Sequence, residues 1–358
     1  MKCGKYFLGG SSPAGHKNHF NSIISDTDYY TYIIKGAPGT GKSSLMKQVS
    51  DSFPDEDKEL YYCSSAPESL DAILLKRRKV IIADGTAPHV FEAEYPGAVQ
   101  SILNVGEYLD KAKLRAEKNS IIEISAECRR QHSRCQKFLT ALAAISEDTC
   151  NIAASAIIAE KLDGFTSRFS KKLFPKKAEP SKGTIKYKQL SAITKDGYIT
   201  HVPQYSALYL LNDAYMAGSE LFLRKITEEA VAKGYCAEVS LCYLRSLSGC
   251  SFEHVAVPEL NVGFISSNII NKAMLAAPEK KVVQFRRFYD KNIVAARKNR
   301  LKFNTAAIEN ISAEAAAALK SAKEAHDMLE SYYISATDFE KIDMLTERLI
   351  KEIEQFPA

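Results

Sequence analysis

The sequence predicts an α/β protein: two parallel sheets in tandem, each flanked by helices, with long helical extensions. Three observations predict this. A glycine-rich loop lies between a β-branched, aromatic strand and an amphipathic helix near the N-terminus. Segments of the second half repeat segments of the first in the same order. Long stretches rich in helix formers follow each repeat. A length of 358 residues fits two domains, and 46% hydrophobic with 25% charged residues is an ordinary globular balance. The net charge of +5 suits contact with phosphates without making this a nucleic-acid protein.

The first strand is expected over Tyr30–Lys35, from the run YTYIIK. The run GAPGTGKS at 36–43 then fits G-x-x-x-x-G-K-[ST], the Walker A phosphate-binding pattern, and SSLMKQV after it reads as a helix. A strand, a glycine loop and a helix in this order aim backbone N–H groups and a helix N-terminus at one point, which makes a site for a triphosphate. Gly36, Gly39 and Gly41 let the main chain wrap the phosphates, and Pro38 stiffens the turn between Ala37 and Thr40. Lys42 is placed to reach the β and γ oxygens, Ser43 offers a hydroxyl to Mg2+, and Ser44 completes the ATP-binding segment. A flexible glycine turn does not explain the Lys-Ser pair.

Further strands are expected at 59–63 and 80–83. The run VIIAD ends on Asp84, the candidate acid that would hold Mg2+ together with Ser43 and act with Lys42 in catalysis. The competing reading is an Asp that opens the turn Asp84-Gly85-Thr86. Gly85 stands where many ATPases carry a glutamate. His89 is therefore the candidate for orienting the attacking water, with Glu92 and Glu94 beside it, against the plainer reading of a loop histidine. Helical stretches are expected at 105–134, 135–144 and 152–174. Their counterparts are 282–299, 312–333 with Ser312 as N-cap, and 338–355.

The internal repeat rests on ordered weak matches. Tyr32 aligns with Tyr209 and Gly41 with Gly218 at an offset of 177. Gly15 aligns with Gly197, Asp71 with Glu253 and Asp84 with Ser266 at 182. Residues 139–146 resemble 329–335. In the second half Ser219 replaces the lysine and Glu220 the magnesium serine. Asp213 and Glu220 set negative charge where phosphates would lie, at a cost of about 4 kcal/mol per close pair at an effective dielectric near 20. The second half is therefore expected to keep the fold and not to bind ATP. The expected division is a nucleotide-binding domain with helical extension at 1–175, a basic linker at 176–188 and a degenerate repeat with its own extension at 189–358.

Lesser features carry less. The start MKCGKYFLGG lacks the apolar run of a secretion signal, no segment reads as a membrane span, and the eight cysteines form no C-x-x-C pair. A cytoplasmic protein with reduced thiols is expected. Cys128, His132 and Cys135 share a helix face, more simply a mixed face than a zinc site. The basic stretch from Arg286 to Lys302, with Phe285, Phe288, Tyr289 and Phe303 in or beside it, reads as a solvated face over core aromatics, or else as a contact for nucleic acid or γ-phosphate.

The runs KYFLGGSSPAG, YIIKGAPGTGKSSLMKQV, YYCSSAPESLDAILL and KVIIADGTAPH, with a related second half, resemble a bacterial family of tandem P-loop ATPase-like proteins found especially in Firmicutes. The resemblance spans nearly the whole chain. It implies a P-loop fold, ATP binding and ATPase activity with Mg2+, and it implies no substrate. In that family the second half often keeps an intact loop; its loss here argues against a two-site mechanism. The expected function is an Mg-ATP-binding ATPase with one intact site, with unknown protein or nucleic-acid partners. The alternatives are a small-molecule or nucleotide phosphotransferase and a nucleotide-gated scaffold with little turnover.

Overall fold

In the computed structural model, which describes residues 3–87, 90–177, 182–247, 249–274 and 281–357, the strand expected from YTYIIK is the fourth of eight in the first repeat. These are β1 (Cys3–Phe7), the hairpin β2 (Gly9–Ser12) and β3 (Gly15–Asn18), β4 (Tyr30–Lys35), β5 (Lys58–Tyr62), β6 (Leu70–Leu75), β7 (Val80–Asp84) and β8 (Gln100–Asn104). A short helix α1 (Asn21–Ile24) precedes β4, and α2 (Lys42–Ser52) follows it. The extension is α3 (Lys111–Ala116), α4 (Lys118–Ser155) and α5 (Ala159–Leu173).

One six-stranded sheet has the order β1-β5-β6-β7-β4-β8. Three of its five pairings are parallel; β6 runs antiparallel to both neighbours. Its central strands read as apolar runs, LDAILL interrupted only by Asp71 and VIIA without a break, because helices and loops cover both faces and leave no polar alternation. Strands β1, β6 and β8 were not expected from the sequence. β6 is buried at every position, so its pattern has no period to distinguish strand from helix.

The second repeat reproduces this plan with β9 (Thr184–Tyr187), the hairpin β10 (Ser191–Thr194) and β11 (Gly197–Thr200), β12 (Ala207–Asn212), β13 (Cys236–Cys242), β14 (Ser251–Val257), β15 (Val262–Ser267) and β16 (Lys281–Gln284). Its sheet order is β16-β12-β15-β14-β13-β9, the same sequence of partners and directions. Its helices are α6 (Ala217–Ala232), α7 (Lys291–Ala296), α8 (Lys298–Ser335) and α9 (Phe339–Glu354). Gly15 and Gly197, paired in the sequence comparison, both turn their hairpins at φ near 100°. Asp110 caps α3 and Asp290 caps α7 in the same way, each accepting two backbone N–H bonds. The 38-residue helices α4 and α8 start 180 residues apart, so Leu139 corresponds to Leu319 and the match of 139–146 with 329–335 is out of register.

The loop alignment also needs correction. Gly41 and Met216 are the left-handed residues that start α2 and α6, at φ 78° and 67°. The equivalent of Gly41 is thus Met216 and not Gly218. The second loop has lost two residues while its helix has gained two, so the buried faces (Leu45, Met46 and Val49 against Phe222, Leu223 and Ile226) stay 177 apart.

The chain divides into two compact units, one of Met1–Gly10, His16–Cys135 and Ala317–Ala358, the other of Ser11–Gly15 and Gln136–Ala316. Each therefore carries the sheet of one repeat and the last helix of the other. In the first, the apolar stripe Ile342, Leu345, Leu349 and Ile353 of α9 joins Leu45, Met46 and Val49 of α2 in one core. In the second, Leu162 of α5 packs with Phe222 and Ile226 of α6. Burying such a side chain contributes about 1.5–3 kcal/mol, so these helices belong to the cores they cover. The entries are tied alike: Asp110 N–H donates to Ala336 O at 2.7 Å in the first unit, and Asp290 N–H to Ala156 O at 2.7 Å in the second.

Other expectations shift. Ser312 lies inside α8 and caps nothing. The stretch 282–299 is a strand end, a 3₁₀ turn (Phe285–Phe288) and α7; 105–134 likewise opens with a 3₁₀ turn, then α3, then α4. Within the stretch expected as a linker, Thr184–Tyr187 is an edge strand paired with β13. Phe285, Phe288 and Tyr289 are buried, Phe303 is exposed, and Arg287 lies over the rings of Phe165 and Phe288. All eight cysteines are free thiols. Among the described residues no helix is long and apolar enough to cross a membrane.

Candidate functional site

The site forms where β4 ends. Gly36 to Gly41 make the loop, and α2 starts at Lys42. Gly39 and Gly41 hold φ of 73° and 78°, a region that L side chains enter at a cost of about 1–2 kcal/mol, so the loop's shape depends on them. The Ala37 carbonyl is the internal tie: it accepts from the Thr40 hydroxyl at 2.8 Å and from the Lys42 ammonium at 2.7 Å. Pro38 stands between them in the turn, and Ser44 is exposed in the first turn of α2. Gly41 has no side chain to cap α2, and among the described residues no other side chain bonds its first N–H groups. Its first N–H groups and the Lys42 ammonium thus face the inside of the loop, an arrangement that attracts an anion.

Two acids stand beside the lysine. Asp84 ends β7, which runs parallel to β4 with Ile34 opposite Asp84. Its Oδ1 accepts from the Thr86 N–H at 2.9 Å and hydroxyl at 2.6 Å, and its Oδ2 lies 3.7 Å from Lys42 Nζ. The turn reading holds for this residue: one oxygen closes the Asp-Gly-Thr turn, and the other faces the lysine. Lys42 and Asp84 side chains are only 10% and 17% exposed, so their attraction is little screened.

The sequence reasoning missed Asp71 as a member of this group. The β6–β7 register sets Ala72 opposite Ala83, which puts Asp71 across from Asp84 on the same face. Leu70 N–H donates to Ser43 Oγ at 2.9 Å, fastening the start of β6 to the loop. Burial pushes the Asp71 carboxyl up to about 7, the charge of Asp84 adding to it, while a hydrogen bond from Cys63 and the charge of Lys42 oppose. Only the alignment of Asp71 with Glu253 marked this position in the sequence, and that alignment said nothing of its neighbours.

Of the water-orienting candidates, His89 lies outside the described residues. Glu92 is exposed and pairs with Lys35 at 2.8 Å; Lys35 also donates to Gly85 O and Phe91 O, which pins the loop after β7. Glu94 is exposed, and its N–H donates to Gln100. Neither Glu92 nor Glu94 pairs with Lys42.

The end of α8 crosses the loop instead. A Cβ on Gly39 would meet Glu330 O at 2.9 Å and Ile334 Cγ1 at 3.0 Å, and one on Gly41 would meet Phe339 at 3.6 Å. His326, Asp327 and Glu330 bring their ligand atoms within 4.8 Å of one another. Asp327 is held by Lys323. Cys128, His132 and Cys135 do not form such a group among the described residues; Cys128 instead donates to Ala322 O across from α8.

At the equivalent place in the second repeat the helix end is filled. Asp213 Oδ2 accepts from Ser219 N–H at 2.8 Å, and the Tyr289 hydroxyl donates to Asp213 while accepting from Gly218 N–H at 2.8 Å. Glu220 pairs with Arg224 and with the buried Arg245. Asp84's counterpart, Ser266, uses its N–H to donate to Nδ1 of the buried His254. Comparison with protein-family models, with curated proteins and with solved structures found no match, so the chemistry of the site rests on its own residues.

Proposed function

We propose that the first repeat binds Mg-ATP through residues 36–44 and hydrolyses it, and that the second repeat keeps the fold without binding nucleotide. The observation that carries this is the contrast between two equivalent helix ends. In α6 the Gly218 and Ser219 N–H groups are bonded to a phenol and an internal carboxylate, whereas among the described residues no side chain bonds the first N–H groups of α2, and a lysine lies in its loop. An uncapped helix start with a lysine inside the loop is built for a polyanion from outside.

The donor set suits the nucleotide's metal. Ser43 and Asp84 would hold Mg2+, whose charge would stabilise the β and γ oxygens. Lys42 would exchange its bond to Ala37 O for phosphate oxygens, and the main-chain N–H groups of the loop would orient them. Asp84, already braced by Thr86, would hold its free oxygen in place for the metal.

Purified protein with γ-labelled Mg-ATP tests the reading by following free phosphate and label transfer to a metabolite pool. Phosphate release that is lost in both Lys42→Ala and Asp84→Ala supports it. Release unchanged in both would refute the site. A labelled metabolite would favour the phosphotransferase, and tight binding without either product the nucleotide-gated scaffold.

A further inference from the structure

Among the described residues after β7 no group is placed to activate water, since Gly85 follows Asp84 and Glu92 is turned to Lys35. The path of α8 supplies one. At one end Glu330 and Ile334 lie against Gly39. Two turns earlier, the Lys323 ammonium is 3.9 Å from Glu68. The Glu68 carbonyl accepts from Lys47 of α2, and two residues on, Leu70 N–H is bonded to Ser43 Oγ. Residues 323, 326 and 330 share one helix face. His326 therefore lies on α8 between the contact with Gly39 and the contact beside Ser43, near enough to Lys42 for that charge to act on its ring.

Its surroundings suit a base. Nδ1 is buried with no hydrogen-bond partner and lies 3.6 Å from Glu330 Oε1. The groups facing the ring are Glu330, Lys323 and Asp327 of α8, Lys42 of the loop and His132 of α4. Burial, with Lys323 and Lys42, holds the imidazole below its ordinary pKa against Glu330 and Asp327, so it is neutral near pH 7.

We propose, resting on the reading of the loop as an ATPase site, that His326 of the second repeat accepts the proton of the attacking water at the loop of the first, with Glu330 orienting its ring. One water O–H proton passes to Nε2 of His326. The water oxygen bonds to the γ-phosphorus, and the bond from that phosphorus to the bridging oxygen breaks, its electron pair leaving on ADP. Glu330 closes the 3.6 Å gap to Nδ1 when substrate is bound, since such bonds are often long in the free enzyme.

The test uses the full chain, with calorimetry for ATP affinity and steady-state phosphate release. His326→Ala is expected to bind ATP within about threefold of the parent, to keep its KM and to lose kcat by about 100-fold or more. Free imidazole should restore part of that loss, which a structural role would not allow. His326→Gln, closer in size, guards against misfolding and should show the same split between KM and kcat. A kcat within about twofold of the parent in both variants would overturn the proposal, as would a loss confined to binding with no imidazole rescue. A parent that binds ATP but releases phosphate no faster than Lys42→Ala would overturn it too, and leave the binding loop standing. A parent that binds no ATP would overturn the underlying reading as well.

Discussion

Tyr289 gives its hydroxyl proton to Asp213, 2.9 Å from Oδ1, while accepting the Gly218 N–H at 2.8 Å. Burial and the neighbouring Asp213 charge push the phenol far above its usual range, so it stays a donor at any physiological pH. With Ser219 N–H on the other carboxylate oxygen, the start of α6 carries its own anion. The helix end of the second repeat thus holds a carboxylate of its own chain where that of the first repeat holds none. The shortened loop between Asn212 and Ala217 is what brings that carboxylate to the helix end.

Replacing Asp213 with Ala should therefore destabilise the protein. Tyr289 Oη and Ser219 N–H would lose their acceptor in a buried site, at about 1–3 kcal/mol for each unsatisfied group. Asp213→Asn keeps one acceptor and should cost less. Thermal unfolding checks both, and formate or phosphate in the buffer should recover part of the loss in the alanine variant. A melting temperature equal to the parent's would show that the carboxylate is not what holds this end of α6.

The same contrast fixes a stoichiometry. Calorimetry with a non-hydrolysable ATP analogue should give one site per chain and none in Lys42→Ala. Two equivalent sites would contradict the assignment of the second repeat, whatever the activity of the first.

The front loop was legible because its parts are contiguous: strand, glycines, lysine and serine lie within 30–43, and no tertiary information is needed to join them. Asp71 was not, because its place beside Asp84 depends on an antiparallel register between two wholly buried strands. The two-residue shortening of the second loop was hidden for a different reason. The helix gained what the loop lost, so the offset of 177 holds on both β12 and the buried face of α6, and nothing in the alignment breaks. Contacts of α8 and α9 with the loop come from more than 280 residues away in the chain and leave no local pattern at either end.

A buried carboxylate in the second repeat should make stability depend on pH. Burial pushes Glu253 up to about 7, opposed by hydrogen bonds from Tyr198 and Asn271. In the unfolded chain a glutamate ionises near its ordinary value, about 4.3. Between these values the folded state binds the extra proton, so raising pH disfavours folding. The stabilisation is whole below the unfolded value and is lost as pH rises through about 7. The difference is on the order of 3 kcal/mol. Glu253→Gln, neutral throughout, should flatten this slope in urea titrations between pH 5 and pH 8; an unchanged slope would assign it to another group.

The exchanged helices make a prediction that separates stability from binding. Ile342 of α9 and Leu162 of α5 occupy equivalent positions 180 residues apart, and both are buried. Either truncation to alanine should cost about 2–5 kcal/mol, the range for large-to-small changes in a packed core. Their effects on the nucleotide should differ. Ile342 packs in one core with Leu45 and Met46 of α2, and its Cγ2 is 3.9 Å from where a Cβ on Gly41 would stand. A cavity there loosens the helix end that we propose grips phosphate. Leu162 packs in the core of the second sheet, on α6. Ile342→Ala should therefore weaken ATP binding several-fold at a temperature where the protein is still folded, and Leu162→Ala, equally destabilised, should not. Equal affinities in the two variants would mean that α9 supports the first sheet without shaping its loop.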